Sequence, residues 1–373
     1  MFLKKRRDFI LRGLGKKQQI GWINCAKFFA ILAVVIDHVK GILYEDEAVQ
    51  YIFFYSVTVF LFLAGMTAYY SLQNRKPEES PGRWVVRRIG RILVPYLAAV
   101  AVYQYVRTGF QLNLGAFVLW AVNFNLEGQF YYVLIYIQLI AAAPVLYLLV
   151  MNCRRGKAAF LFRGIFLVLA WFTSMFCMKH TFALETYGGG KYLLGGTYLF
   201  VFAAGMVAAD MHITLSGKKK AGIASAASIV LLAGAMAFLL HDRLAWDESM
   251  FGWLLRVNPP GITLILYSLA VISFLFSVCT FLAMLQNRVV DKILQALQYM
   301  GKYTLYIFLY HTLILDTLLP KLTFLDNGPA FLKILVYMAG MLLLPLAGKN
   351  LYDWLKRAMV RKTRKEEMLL KEK

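Results

Sequence analysis

Trp22-Ile-Asn-Cys-Ala-Lys27-Phe-Phe-Ala-Ile-Leu-Ala-Val-Val-Ile-Asp37-His38 is apolar and long enough to begin a membrane-crossing helix, yet it holds a lysine, an aspartate and a histidine. Charged or titratable groups are costly inside a bilayer, and those that are kept face a bundle interior or a functional cavity. Lys27 and His38 are eleven residues apart, about three turns plus 20° of helical rotation, so they share one face about 16 Å apart along the axis. Asn24, three residues before Lys27, joins that stripe. Runs of spanning length recur at 50–72, 89–108, 129–150, 158–178, 192–210, 221–240, 261–285, 301–319 and 329–348. With the first run extended to 22–43, they predict an all-α, polytopic membrane bundle of about ten transmembrane helices. Leu114 to Val122 falls below spanning length and reads as a re-entrant or interfacial piece. The alternation that a membrane β-barrel needs is absent.

The chain is 60% hydrophobic and only 16% charged, far from the soluble average, and no stretch is left over for a soluble domain. A net charge of +21 invites a nucleic-acid reading, but the positives are sorted by topology instead. With the N-terminus inside, most of the 41 lysines and arginines fall on one side. They lie in residues 1–21, around Arg75 to Arg91, at Arg154, Arg155 and Lys157, at Lys218 to Lys220, at Arg288, Lys292 and Lys302, and in the tail from Lys349. That is the positive-inside pattern, and it predicts cytoplasmic N- and C-termini, with no nucleic-acid partner. The basic ends also suit an anionic inner leaflet. The expected organisation is a basic N-terminus (1–21), one transmembrane domain (22–348) and a basic tail (349–373). The basic start resembles a signal peptide, but no small-residue cleavage site follows, so 22–43 reads as an uncleaved helix. Cys25, Cys153, Cys177 and Cys279 are scattered, show no metal spacing and read as packing residues.

Four constellations could carry chemistry. The Asn24, Lys27, Asp37 and His38 set reads either as polar glue between helices or as a functional site in which the imidazole moves a proton near neutral pH. Arg87-Arg88-Ile-Gly-Arg91-Ile-Leu-Val-Pro95-Tyr96 places Arg88 and Arg91 on one face. Such a pair is either ordinary inside anchoring or a phosphate clamp, since guanidinium forks match phosphate oxygens. Glu127-Gly-Gln129-Phe130-Tyr131 enters a helix from outside, where Glu127 is an interface acid or a base near His38. Gly301-Lys302-Tyr303-Thr304 through Tyr310-His311 puts a second histidine near mid-membrane, with Thr304 seven residues earlier on its face. No Walker loop, nucleophile elbow, His-Glu-x-x-His or cysteine pair occurs, so metal chemistry and ATP hydrolysis have no support.

Together and in this order these pieces resemble the acyltransferase-3 family of integral membrane acyltransferases. The family's basic residue, ten spacers and histidine are matched by Lys27 and His38, with lysine where arginine is commoner. Its Phe-Phe-x-x-Ser-Gly turn is similar to Phe60-Leu-Phe62-Leu-Ala64-Gly65, with alanine for serine. Its Arg-x-x-Arg element is matched by Arg88 to Tyr96. Its Glu-Glu-Gln-Phe-Tyr segment is matched by Glu127 to Tyr131, with Gly128 for the second acid. Its late histidine helix is matched by Gly301 to His311.

The resemblance implies transfer of an acyl group, usually acetyl from acetyl-CoA, to a hydroxyl of a cell-surface or lipid-linked carbohydrate. The setting is a multi-pass protein of a bacterial-type cell membrane. It implies His38 as general base or transient acyl carrier, and Lys27 stabilising negative charge or holding a carbonyl. Asp37 or Glu127 would orient the imidazole, and Arg88 and Arg91 would bind coenzyme phosphates. Gln129, Thr304, His311 and Asn24 are further candidates. Acyl-CoA is then a donor substrate, with no resident cofactor. The expected partners are membrane lipids, the carbohydrate acceptor, and polysaccharide-synthesis proteins or a second copy of the chain. The competing reading is a transporter or exporter of a glycan or lipid-linked sugar that uses the same buried polar groups. The absence of paired repeats with broken helices weighs against it.

Overall fold

The computed structural model describes residues 21–124, 126–153, 158–184, 195–245, 260–325 and 328–371. The basic segment 1–20 and the triad Arg154, Arg155 and Lys157 lie outside the described residues. Among those described there is no strand, and the chain is a bundle of helices. In order they are α1 (Gly21–His38), α2 (Glu47–Phe53), α3 (Tyr55–Gln73), α4 (Pro81–Arg107), α5 (Leu114–Asn123), α6 (Tyr131–Asn152) and α7 (Ala159–Leu184). Then come α8 (Leu199–Asp210), α9 (Lys218–Ala245), α10 (Ile262–Met284), α11 (Arg288–Lys302), α12 (Thr304–Thr317) and α13 (Ala330–Lys371).

Each of the ten apolar runs contains a helix. Among the described residues, seven helical stretches are long and apolar enough to cross a membrane, α2 and α3 counting as one. The remaining three runs are α4, α8 and α12. The first is diluted by its arginines, and the other two are short, at 12 and 14 residues. The expected short piece is α5. Its N-cap Asn113 accepts from Ala116 N (3.0 Å), and its last carbonyls are tied to α4 by Tyr96 OH, which donates to Ala121 O (3.0 Å).

α1, α3 and α10 form the centre, each with more than half of its apolar window buried, whereas α7 and α9 bury less than a fifth of theirs. The outward side of α7 carries Phe160, Leu161, Val168 and Phe172, an apolar surface that suits lipid. Where lipid tails give no hydrophobic push between helices, close backbone packing has to hold them together. A Cβ on Gly65 would sit 2.0 Å from Phe202 O, and one on Gly205 would sit 2.0 Å from Phe62 O, so α3 and α8 cross backbone to backbone. The break between α2 and α3 leaves the Ile52 carbonyl without a helical donor, and Tyr267 OH of α10 donates to it (3.0 Å). At the end of α8 the buried Asp210 accepts from Arg163 (2.5 and 3.0 Å) and from Tyr69 OH (2.6 Å), closing an ion pair inside the bundle.

α11 was unforeseen as a helix. Asn287 Oδ1 caps it by accepting from Val289 N (2.9 Å), and it is strongly amphipathic. It ends beside α1, where a Cβ on Gly301 would fall 1.8 Å from Asn24 O. Only glycine allows that approach, which brings the neighbouring Lys302 against the N-terminal half of α1.

Candidate active site

The site has two levels, set by α1 and α12. At the basic end of the bundle a cavity of about 400 Å³ is lined by Lys27, Arg88, Arg91 and Lys302, and no carboxylate lines it. Thr67, Thr304, Tyr132 and Tyr136 add hydroxyls, and Phe60, Ala64, Ile92, Leu305 and Phe308 supply apolar wall. Arg88 is held in place: its Nε donates to Tyr136 OH (3.3 Å) and a terminal nitrogen donates to Thr67 Oγ1 (3.0 Å). Four cations facing one space without a counter-charge repel each other, so the arrangement favours a polyanion. Pro95 lies inside α4, beyond this wall.

At the other level His38 and His311 meet, their ring centroids 4.8 Å apart and their planes at 87°. His38 Nδ1 lies 2.8 Å from Val34 O, and His311 Nδ1 lies 3.0 Å from Ile307 O and 2.9 Å from Phe308 O. A backbone carbonyl can only accept, so each Nδ1 carries a hydrogen, and in the neutral ring each Nε2 keeps its lone pair. His311 is fully buried, and its Nε2 has no hydrogen-bond partner. Phe308, on the cavity wall, is three residues before His311, about 4.5 Å of axial rise along α12, and neither histidine lines the cavity itself.

Beyond the histidines a polar clamp fixes α12. Thr312 Oγ1 donates to Glu127 Oε2 (3.3 Å), accepts from Gln129 Nε2 (2.8 Å) and lies 2.6 Å from Tyr103 OH. Tyr103 OH also accepts from Leu313 N (2.9 Å). One proton order satisfies all four contacts, running from Leu313 N–H to Tyr103 O–H to Thr312 O–H to the carboxylate. Arg107 pairs with Glu127 and, at 3.4 Å, with Asp316. Burial raises the Glu127 carboxyl above the ordinary glutamate range, and Arg107 pulls it part of the way back.

The expected residues therefore fall into three groups. Lys27, Arg88, Arg91 and Thr304 come together in the cavity, His38 and His311 in the pair, and Glu127 and Gln129 in the clamp. Lys27 and His38 share a face of α1 but not a pocket. Asp37, adjacent to His38 in sequence, is turned about 100° around the helix, and its Oδ1 accepts from Gln50 Nε2 (2.6 Å) while Val34 O takes the His38 hydrogen. Asn24 contributes the backbone that Gly301 packs against. Lys302, Tyr103, Arg107 and Thr312 had not been singled out. Thr312 follows His311 directly, and its hydroxyl beside a buried histidine was the one signal that could have been read.

Residues 20–348 match the family model described as an acyltransferase domain. No curated protein and no solved structure matches the chain. The match covers most of the sequence, so the chain belongs to the acyltransferase-3 family.

Proposed function

As a multi-pass member of that family, the protein is, we infer, an acyltransferase that takes an acyl group from acyl-CoA on the cytoplasmic side. It passes the group, acetyl being the first candidate, to a hydroxyl of a cell-surface or lipid-linked carbohydrate on the other side. The observation that carries this reading is the pairing of two sites on one helix. Lys27 lies in an acid-free basic cavity, and His38 lies three turns further on, beside a second imidazole. On the positive-inside pattern the basic end is read as cytoplasmic, with both termini on that side.

In this scheme Arg88, Arg91, Lys27 and Lys302 hold the coenzyme phosphates. The thioester arm extends past Phe308 toward the histidines. His38 Nε2 takes the proton from the acceptor hydroxyl as that oxygen attacks the carbonyl carbon. The thiolate leaves with the carbon–sulfur electron pair and is protonated by solvent on the donor side. The Glu127, Gln129, Thr312 and Tyr103 clamp keeps α12 in register so that His311 stays against His38.

Sealed inside-out vesicles containing the protein test this reading. Acyl-labelled acyl-CoA added outside should leave label on carbohydrate within the lumen, without net movement of the carbohydrate. Carbohydrate movement with no acylation would replace the enzyme with a transporter.

A further inference from the structure

His311 is more completely enclosed than His38, and its helix also supplies Thr304, Leu305 and Phe308 to the cavity wall. Its Nδ1–H is shared between two carbonyls of its own helix, which fixes the ring. Its Nε2 lone pair is buried with no partner, although a buried acceptor left unpaired costs about 1–3 kcal/mol. A histidine that served only packing would gain by turning that atom to a donor. The wall residue Phe308 is less than one turn away, while His38 is half-buried and lies across the perpendicular ring contact. A buried imidazole nitrogen that keeps its lone pair, with the donor cavity on its own helix and a second base against its ring, has the requirements of a nucleophile.

We propose that His311 carries the acyl group between donor and acceptor, while His38 activates the acceptor. The idea rests on the acyl-transfer reading above. In the first step His311 Nε2 attacks the thioester carbonyl. A nitrogen–carbon bond forms, the carbon–sulfur bond breaks, and the thiolate leaves with the electron pair. In the second step His38 Nε2 takes the proton of the acceptor hydroxyl. The oxygen–carbon bond forms, the nitrogen–carbon bond breaks, and its electron pair returns to His311. His38 then releases its proton to solvent, and the departing thiolate takes one from solvent on its own side. Burial of His311 protects the acylated ring from hydrolysis, because water is kept from it between the two steps.

The test uses purified full-length protein, acetyl-CoA and isotopically labelled CoA, with no acceptor, and follows label entering acetyl-CoA. Transfer to host membrane carbohydrate is measured in parallel with the same donor. Wild type should catalyse the exchange. His38→Ala should keep the exchange and lose transfer. His311→Gln should lose both, with a thermal transition in detergent within a few degrees of wild type. Loss of exchange in His38→Ala would overturn the proposal and make His38 the carrier. Retained exchange in His311→Gln would also overturn it, as would a wild type that transfers without exchanging. A wild type that does neither removes the acyl-transfer reading itself.

Discussion

Replacing Arg88 by alanine removes the most firmly held of the four cations around the basic cavity. Tyr136 and Thr67 accept from two of its nitrogens and fix the plane of the fork, leaving other N–H groups of the guanidinium for an anion in the cavity. A hydrogen bond to a charged group contributes about 1.5–3 kcal/mol. At about 1.4 kcal/mol per factor of ten, that corresponds to a roughly 10- to 150-fold weaker hold on the donor. The cavity opens to water and keeps Lys27, Arg91 and Lys302, so the lower part of the range is expected, shrinking further with added salt. Arg88→Lys keeps the charge and loses the planar fork, and should fall between. The assay is initial rate against acyl-CoA concentration, with acceptor held constant, then the reverse. KM for acyl-CoA should rise about tenfold or more, and KM for the acceptor should stay within about twofold. An Arg88→Ala protein with unchanged KM for acyl-CoA and a fall in kcat alone would refute the phosphate assignment.

Two predictions concern the frame. Asp210→Ala leaves Arg163 without its buried partner, and breaking such a pair costs about 3–5 kcal/mol, so the thermal transition in detergent should drop by several degrees; an unchanged transition would mean that the pair contributes nothing. Glu127→Gln tests the clamp through pH. Burial holds the folded carboxyl above its unfolded value of about 4.3, so its ionisation works against the fold as pH rises from there through the raised folded pKa. The difference in thermal transition between wild type and Glu127→Gln should therefore move against wild type from about pH 4 upward and level off. A difference moving the other way would show that Arg107, not burial, dominates.

The bundle was legible because apolar length is a local signal. Each predicted run holds a helix, from the α1 stretch at Trp22 to the α13 stretch at 329–348. The helix α11 was missed for the same reason, since Lys292, Gln295 and Gln298 dilute its hydropathy even as Leu294 and Leu297 pack inward. At the site, helical periodicity correctly put Lys27 and His38 on one face, but periodicity says nothing about where one pocket ends and the next begins. Asp37 shows the limit of adjacency, because neighbours in a helix point about 100° apart. Contacts between distant segments had no signal in sequence. The meeting of Thr312 with Tyr103 and the close passage of Gly301 over Asn24 arise only when α12 and α11 are packed against α4 and α1.

The most direct test of the central claim is acyl transfer by purified wild-type protein and His38→Ala in proteoliposomes, with labelled acyl-CoA as donor and host envelope carbohydrate as acceptor. The account predicts labelled carbohydrate with wild type and loss of transfer by His38→Ala, at equal expression and equal thermal transition. A well-folded His38→Ala that transfers at the wild-type rate would contradict it.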